Sequence, residues 1–165
     1  MNAAADLAAT GRALEQAYTR IWHTRMRGLP IVNPALRVEL VGLRAWDGCA
    51  VGVIVAPWCM NLVVLPLPGG RDIPAAPVGS VHVVRLPAGN HDLLAAQLPE
   101  TGPHLSGSLC SPMDDFASQD QAVAAAREAL DLLFDARPAP VDAAADPAPG
   151  SQASRRGFLL GRLPR

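Results

Sequence analysis

The sequence predicts an α+β fold: a small, mostly antiparallel sheet packed by an N-terminal and a C-terminal helix. Three observations predict it. Val51–Val55 and Leu62–Leu65 are apolar, β-branched runs of strand length, too short for buried helices. Asp47-Gly48 before the first run carries the chemistry of a two-residue hairpin turn. Two amphipathic stretches bracket the strand-rich middle, at residues 3–27 and 118–134.

In the first stretch, Leu14, Tyr18, Ile21 and Trp22 share one helical face. Arg12, Glu15, Gln16, Thr19, Arg20 and His23 share the other. Gly28 suits a C-terminal cap, and Pro30 follows it. The apolar face is expected to pack on the sheet, with Trp22 as a partner-binding anchor the alternative. Leu29–Leu36, containing Asn33-Pro34, reads as an extended connector.

Arg37–Trp46, Cys49–Ala56 and Met60–Leu65 read as three consecutive antiparallel strands. Pro57 cannot donate to a ladder and marks a corner, which would display Trp58 and Asn61. Four prolines within residues 66–79 exclude a regular element there. Ser80–Leu86 reads as a fourth strand with Val81 and Val83 on one face. His91–Leu98 is open between strand and short helix, and Gly102–Leu109 suggests a returning strand. Ser118 and Gln121 match a capping box opening the second helix. Residues 1–136 are therefore expected to form one domain. Residues 137–153, rich in Pro, Ala and Asp, read as a disordered linker, and 154–165 as a C-terminal tail.

Composition narrows function. The chain has 165 residues and a net charge of −1, which argues against nucleic acid or an anionic membrane as partner. All 14 basic residues are arginine, excluding a Schiff-base or P-loop lysine. Cys49, Cys59 and Cys110 are an odd set without C-x-x-C spacing, so no disulfide framework or structural zinc is expected, and a cytoplasmic setting fits. No signal peptide or membrane span is legible.

No catalytic set emerges. His23, His82, His91 and His104 share no metal-ligand spacing. Ser106 and Ser108 lack the glycine two positions earlier that a nucleophile elbow requires. Asp114-Asp115 suits a helix-entry turn, and Cys59 has no sequence-near His or Lys to activate it. The expectation is no enzyme, no metal and no cofactor.

Five stretches together resemble the HybE/HupJ family of [NiFe]-hydrogenase maturation chaperones. They are Leu29-Pro30 with Asn33-Pro34; Pro57-Trp58-Cys59-Met60-Asn61-Leu62; Gly79 with Leu86-Pro87-Ala88-Gly89; Ser108-Leu109-Cys110-Ser111-Pro112-Met113 with Phe116; and Ser154-Arg155-Arg156-Gly157-Phe158-Leu159-Leu160-Gly161. Their order and spacing follow the family over roughly residues 12–161. The family usually has a larger apolar residue at the place of Cys110 and an aromatic near His104 or Leu105.

The resemblance implies a non-catalytic assembly chaperone. It would bind hydrogenase precursors, the small subunit with its twin-arginine signal and possibly the large subunit, until cofactor insertion and assembly are complete. Other maturation proteins would be partners. The alternative is a redox-protective protein guarding the small subunit or its iron–sulfur clusters from oxygen.

The expected partner-binding residues are Trp58, Met60 and Asn61 at the corner, and Ser111, Pro112, Met113 and Phe116 in the loop before the second helix. Arg155, Arg156 and Phe158 complete the set. The tail copies the twin-arginine consensus S-R-R-x-F-L, and two readings of it stand open. It would act as a tethered pseudo-ligand, or supply a plain C-terminal strand.

Overall fold

A computed structural model describes residues 2–136. The expected linker at 137–153 and tail at 154–165 lie outside the described residues. The elements run α1 (Ala3–Ile21), β1 (Glu39–Trp46), β2 (Cys49–Ala56), β3 (Cys59–Pro66), β4 (Val81–Leu86), β5 (Gly89–Leu98), β6 (Gly102–Cys110) and α2 (Gln119–Phe134). One antiparallel sheet has the order β1-β2-β3-β6-β5-β4, so two three-stranded meanders join through β3 and β6. The α+β expectation holds, and His91–Leu98 lies within a strand.

β2 is buried along its whole length. Its side chains alternate between two cores, as a strand covered on both faces requires. Val51, Val53 and Val55 meet Met60, Leu62 and Val64 under Ala122, Ala126 and Leu130 of α2. Ala50, Ile54 and Ala56 meet Val63 and Leu65 under Leu14 and Tyr18 of α1. The helices thus cover opposite faces. The Ser118 side chain accepts from the Gln121 amide at 3.3 Å, and Gln121 Oε1 accepts from the Ala117 amide at 2.8 Å; the serine half of the expected box is in place.

The Asp47-Gly48 turn is made with both residues at positive φ, 47° and 75°, as a mirror-image hairpin turn needs. β1 carries a bulge between Val41 and Arg44. Gly42 sits there at φ 63°, where an added Cβ would lie 2.6 Å from Leu130 Cδ1, so the bulge and α2 are packed around a missing side chain.

α1 packs chiefly on β1 and β2, and it reaches the second meander near Leu98 and where Arg20 pairs with Glu100 of the β5–β6 turn. On its side of the sheet, Val81, Val83 and Leu94 remain exposed, at 63%, 65% and 47%. The opposite face of that meander is filled by Leu86, Leu93, Ala95 and Leu105, with Ile73 and Ala76 of the proline-rich loop against them. The sheet curls until its edges meet at one corner, where Trp46 Nε1 donates to the Arg85 carbonyl at 3.2 Å. The Ala88 amide donates to the Leu133 carbonyl at 3.0 Å, fixing the end of α2 beside the β4–β5 turn.

Candidate functional site

The most distinctive surface is the β2–β3 corner. Pro57-Trp58 forms a two-residue turn between strands paired Ala56 to Cys59. Trp58 is half-buried and stacks between two rings of the first helical segment. Tyr18 lies 6.0 Å away with planes 7° apart, and Trp22 lies 6.2 Å away at 12°. Each pair contributes about 0.5–1.5 kcal/mol beyond burial. The helix was expected to continue unchanged to residue 27. Instead α1 ends at Ile21, and Trp22–Met26 form a π-helical turn. Such turns are frequent at functional sites.

Three chain segments converge on this corner. The Asn33 amide donates to the Pro57 carbonyl at 2.8 Å. The Asn33 side-chain amide donates to the carbonyls of Met113 and Phe116 at 3.0 and 2.7 Å, and its Oδ1 accepts from the Ala35 amide at 3.0 Å. Ser111 Oγ donates to the Trp58 carbonyl at 3.3 Å. The corner, the Asn33-Pro34 connector and the Ser111–Phe116 loop are therefore one unit. Leu29 and Ile31, on the same connector, are exposed at 43% and 48%. Half-buried aromatics beside exposed aliphatics make a surface suited to a protein partner.

Of the expected binding residues, Trp58, Ser111, Pro112 and Phe116 come together here with accessible surface. Met60 and Met113 require correction. Both are fully buried, because Met60 alternates onto the α2 face of β3 and Met113 seals the base of α2. They support the corner from within. Asn61, expected to be displayed, points to the α1 face, where its Nδ2 donates to the Tyr18 hydroxyl at 3.3 Å. Burial foremost pushes the Tyr18 phenol up to about 12, so it stays neutral and can accept that bond. Arg155, Arg156 and Phe158 lie outside the described residues.

Asn33 and Tyr18 were missed as site residues. Asn33-Pro34 offered a signal, since an asparagine before proline in an extended connector is free to bond neighbouring backbone. Tyr18 gave none beyond its helical phase.

The titratable groups do not form a reactive set. Burial pushes the Cys59 thiol up to about 12, with Cys110 adding to it, and burial also raises Cys49. Ser80 Oγ donates to the Pro77 carbonyl at 2.7 Å, so the His82 Nε2 at 3.0 Å is left to donate and does not activate the hydroxyl. Burial lowers the His104 pKa, and its Nδ1 lies 3.0 Å from the Gly102 carbonyl. Among the described residues, no three His, Cys, Asp or Glu side chains are grouped to hold a metal.

Comparison with known proteins places this chain among hydrogenase assembly factors. A family model described as [NiFe]-hydrogenase assembly, chaperone, HybE, matches residues 9–161. The chain belongs to that family. It is 42% identical to the hydrogenase expression/formation protein HoxT of Azotobacter vinelandii, over 92% of each chain. It is 40% identical to the hydrogenase expression/formation protein HupJ of Bradyrhizobium diazoefficiens, over 98% of this chain and 94% of the relative. The solution structure of HybE from Escherichia coli superposes with a TM-score of 0.63 at 21% identity, over 87% of this chain and 86% of that one, and shares the fold.

Proposed function

We propose that this protein is a non-catalytic assembly chaperone for a [NiFe]-hydrogenase, acting in the cytoplasm. It holds precursor subunits, foremost the small subunit with its twin-arginine signal, until cofactor insertion and assembly are complete. The large-subunit precursor and other maturation proteins are further partners. The observation that carries the reading is the Tyr18–Trp58–Trp22 stack, in which Tyr18 is buried and both tryptophans are half-buried, with Leu29 and Ile31 exposed on the connector that Asn33 joins to Pro57. Asn33 ties this surface into the core, so it is presented with little entropy to lose on binding. Ser111, Pro112 and Phe116 border it, and Arg155, Arg156 and Phe158 act from the tail.

Redox protection through the Cys59 thiol is less well supported, because burial holds that thiol protonated. Among the described residues no helix is long and apolar enough to cross a membrane. The test is purification of the tagged chain from cells that make the small-subunit precursor with or without its signal. Recovery of the intact precursor, several-fold reduced without the signal, is expected. Equal recovery of both forms overturns recognition of the signal, and recovery of neither overturns the reading.

A further inference from the structure

The sheet has two edges, and they are not alike. β1 is bulged at Val41 and Arg44, which interrupts its ladder. β4 pairs with β5 over all six of its residues with no register shift, and no strand among residues 2–136 pairs along its outer side. The Ser80 carbonyl accepts from the Ala95 amide at 2.8 Å, while the Arg85 carbonyl accepts from the Trp46 indole. The even positions therefore face β5, and the backbone groups of Val81 and Val83 face outward. Their side chains, with Leu94 opposite Val81, form the exposed apolar strip described above. Asp92, opposite Val83, places an exposed carboxylate on the same strip. Short of the Trp46 contact at Arg85, this regular edge with a valine at alternate positions is a template for strand addition.

The chain itself supplies a segment of matching chemistry. Arg155-Arg156-Gly157-Phe158-Leu159-Leu160 puts Phe158 and Leu160 on one side of an extended strand, at the two-residue period of Val81 and Val83. Arg156, two positions before Phe158, falls on the same side and brings a guanidinium group suited to the Asp92 carboxylate. The tether starts in the right place. α2 ends at Phe134, and the Leu133–Ala88 bond holds that end beside the C-terminal end of β4. Residues 137–153 can extend to about 60 Å, and β4 is about 20 Å long. The family match continues to residue 161.

We propose that residues 155–160 add to the outer edge of β4 as an extra strand, flanking Val81 and Val83. The occupant carries the residue order of a twin-arginine signal, so the signal of a client competes for the same edge. Docking in cis needs no client. It and the chaperone reading fail separately, since the aromatic corner can be altered without touching β4.

Amide hydrogen exchange on the full chain, alone in solution, tests this against a chain ended after Ala153. The Val81 and Val83 amides of the full chain are expected to exchange at least about tenfold more slowly. A full-length Phe158→Asp, Leu160→Asp chain keeps residues 2–136 intact and is expected to lose that protection. A synthetic peptide of residues 154–161 is expected to restore it to the shortened chain. Equal exchange in the full and shortened chains overturns the proposal, as does protection that survives the double substitution. Protection that rises with protein concentration overturns it too, assigning the edge to a second copy.

Discussion

Replacing Asn33 by alanine removes the clamp that joins the connector, the corner and the loop before α2. Three side-chain hydrogen bonds are lost, at 2.7 to 3.0 Å. At roughly 1 kcal/mol net for each, the loss is about 2–3 kcal/mol. The Met113 carbonyl keeps one partner, the Phe116 amide at 3.3 Å, which holds the cost near the lower end. For a domain of this size that lowers the melting temperature by about 8 °C. Thermal unfolding followed by circular dichroism reads the change. Asn33→Asp is the sharper variant. It keeps the acceptor for Ala35 but turns a carboxylate without donors toward two carbonyls, so it is expected to melt at least as low at neutral pH. The reasoning is refuted if Asn33→Ala costs less than about 0.5 kcal/mol, since an unremarkable surface substitution costs that much.

Two further outcomes follow from the titratable groups. The folded His104 pKa lies below its ordinary 6.5, so the unfolded chain binds more protons in that window. Stability is then full above 6.5 and declines as pH falls toward the folded value, and urea midpoints of His104→Gln are expected to lose that part of the pH dependence. Cys59, pushed from 9.0 to about 12, carries roughly a thousandfold less thiolate than a free thiol. Mass spectrometry after iodoacetamide at mildly alkaline pH is expected to find Cys59 unlabelled until denaturant is added, and rapid labelling in the folded chain would contradict its burial.

The elements were legible where local chemistry and tertiary demand agreed. Cys49–Ala56 reads as a strand because a run of Val, Ile and Ala has few other uses, and the turn before it needs positive φ that Asp-Gly accepts. His91–Leu98 was ambiguous because Leu94 lies on the open face, so the strand lacks the clean alternation of a half-buried one. Met60 and Met113 were misjudged for a related reason. Corner and loop positions suggested display, but which way a side chain points in a strand depends on register, and the Ala56–Cys59 turn sends Met60 inward. The stacking of Tyr18 and Trp22 on Trp58 joins residues far apart in sequence. No local pattern carries it.

The central claim is that the aromatic corner binds a hydrogenase precursor, and the direct measurement is the affinity of Trp58→Ala for the purified small-subunit precursor. Titration calorimetry is expected to show a loss of about 2 kcal/mol or more, roughly thirtyfold in Kd. Removing the central ring also costs stability, so Ile31→Asp is measured beside it. Ile31 is largely exposed, and this variant keeps its melting temperature while placing a charge on the rim. Weakened binding by both variants, with the Ile31→Asp chain fully folded, is the predicted result. Wild-type affinity in Ile31→Asp and in folded Trp58→Ala contradicts the account and moves the precursor's site elsewhere on the molecule.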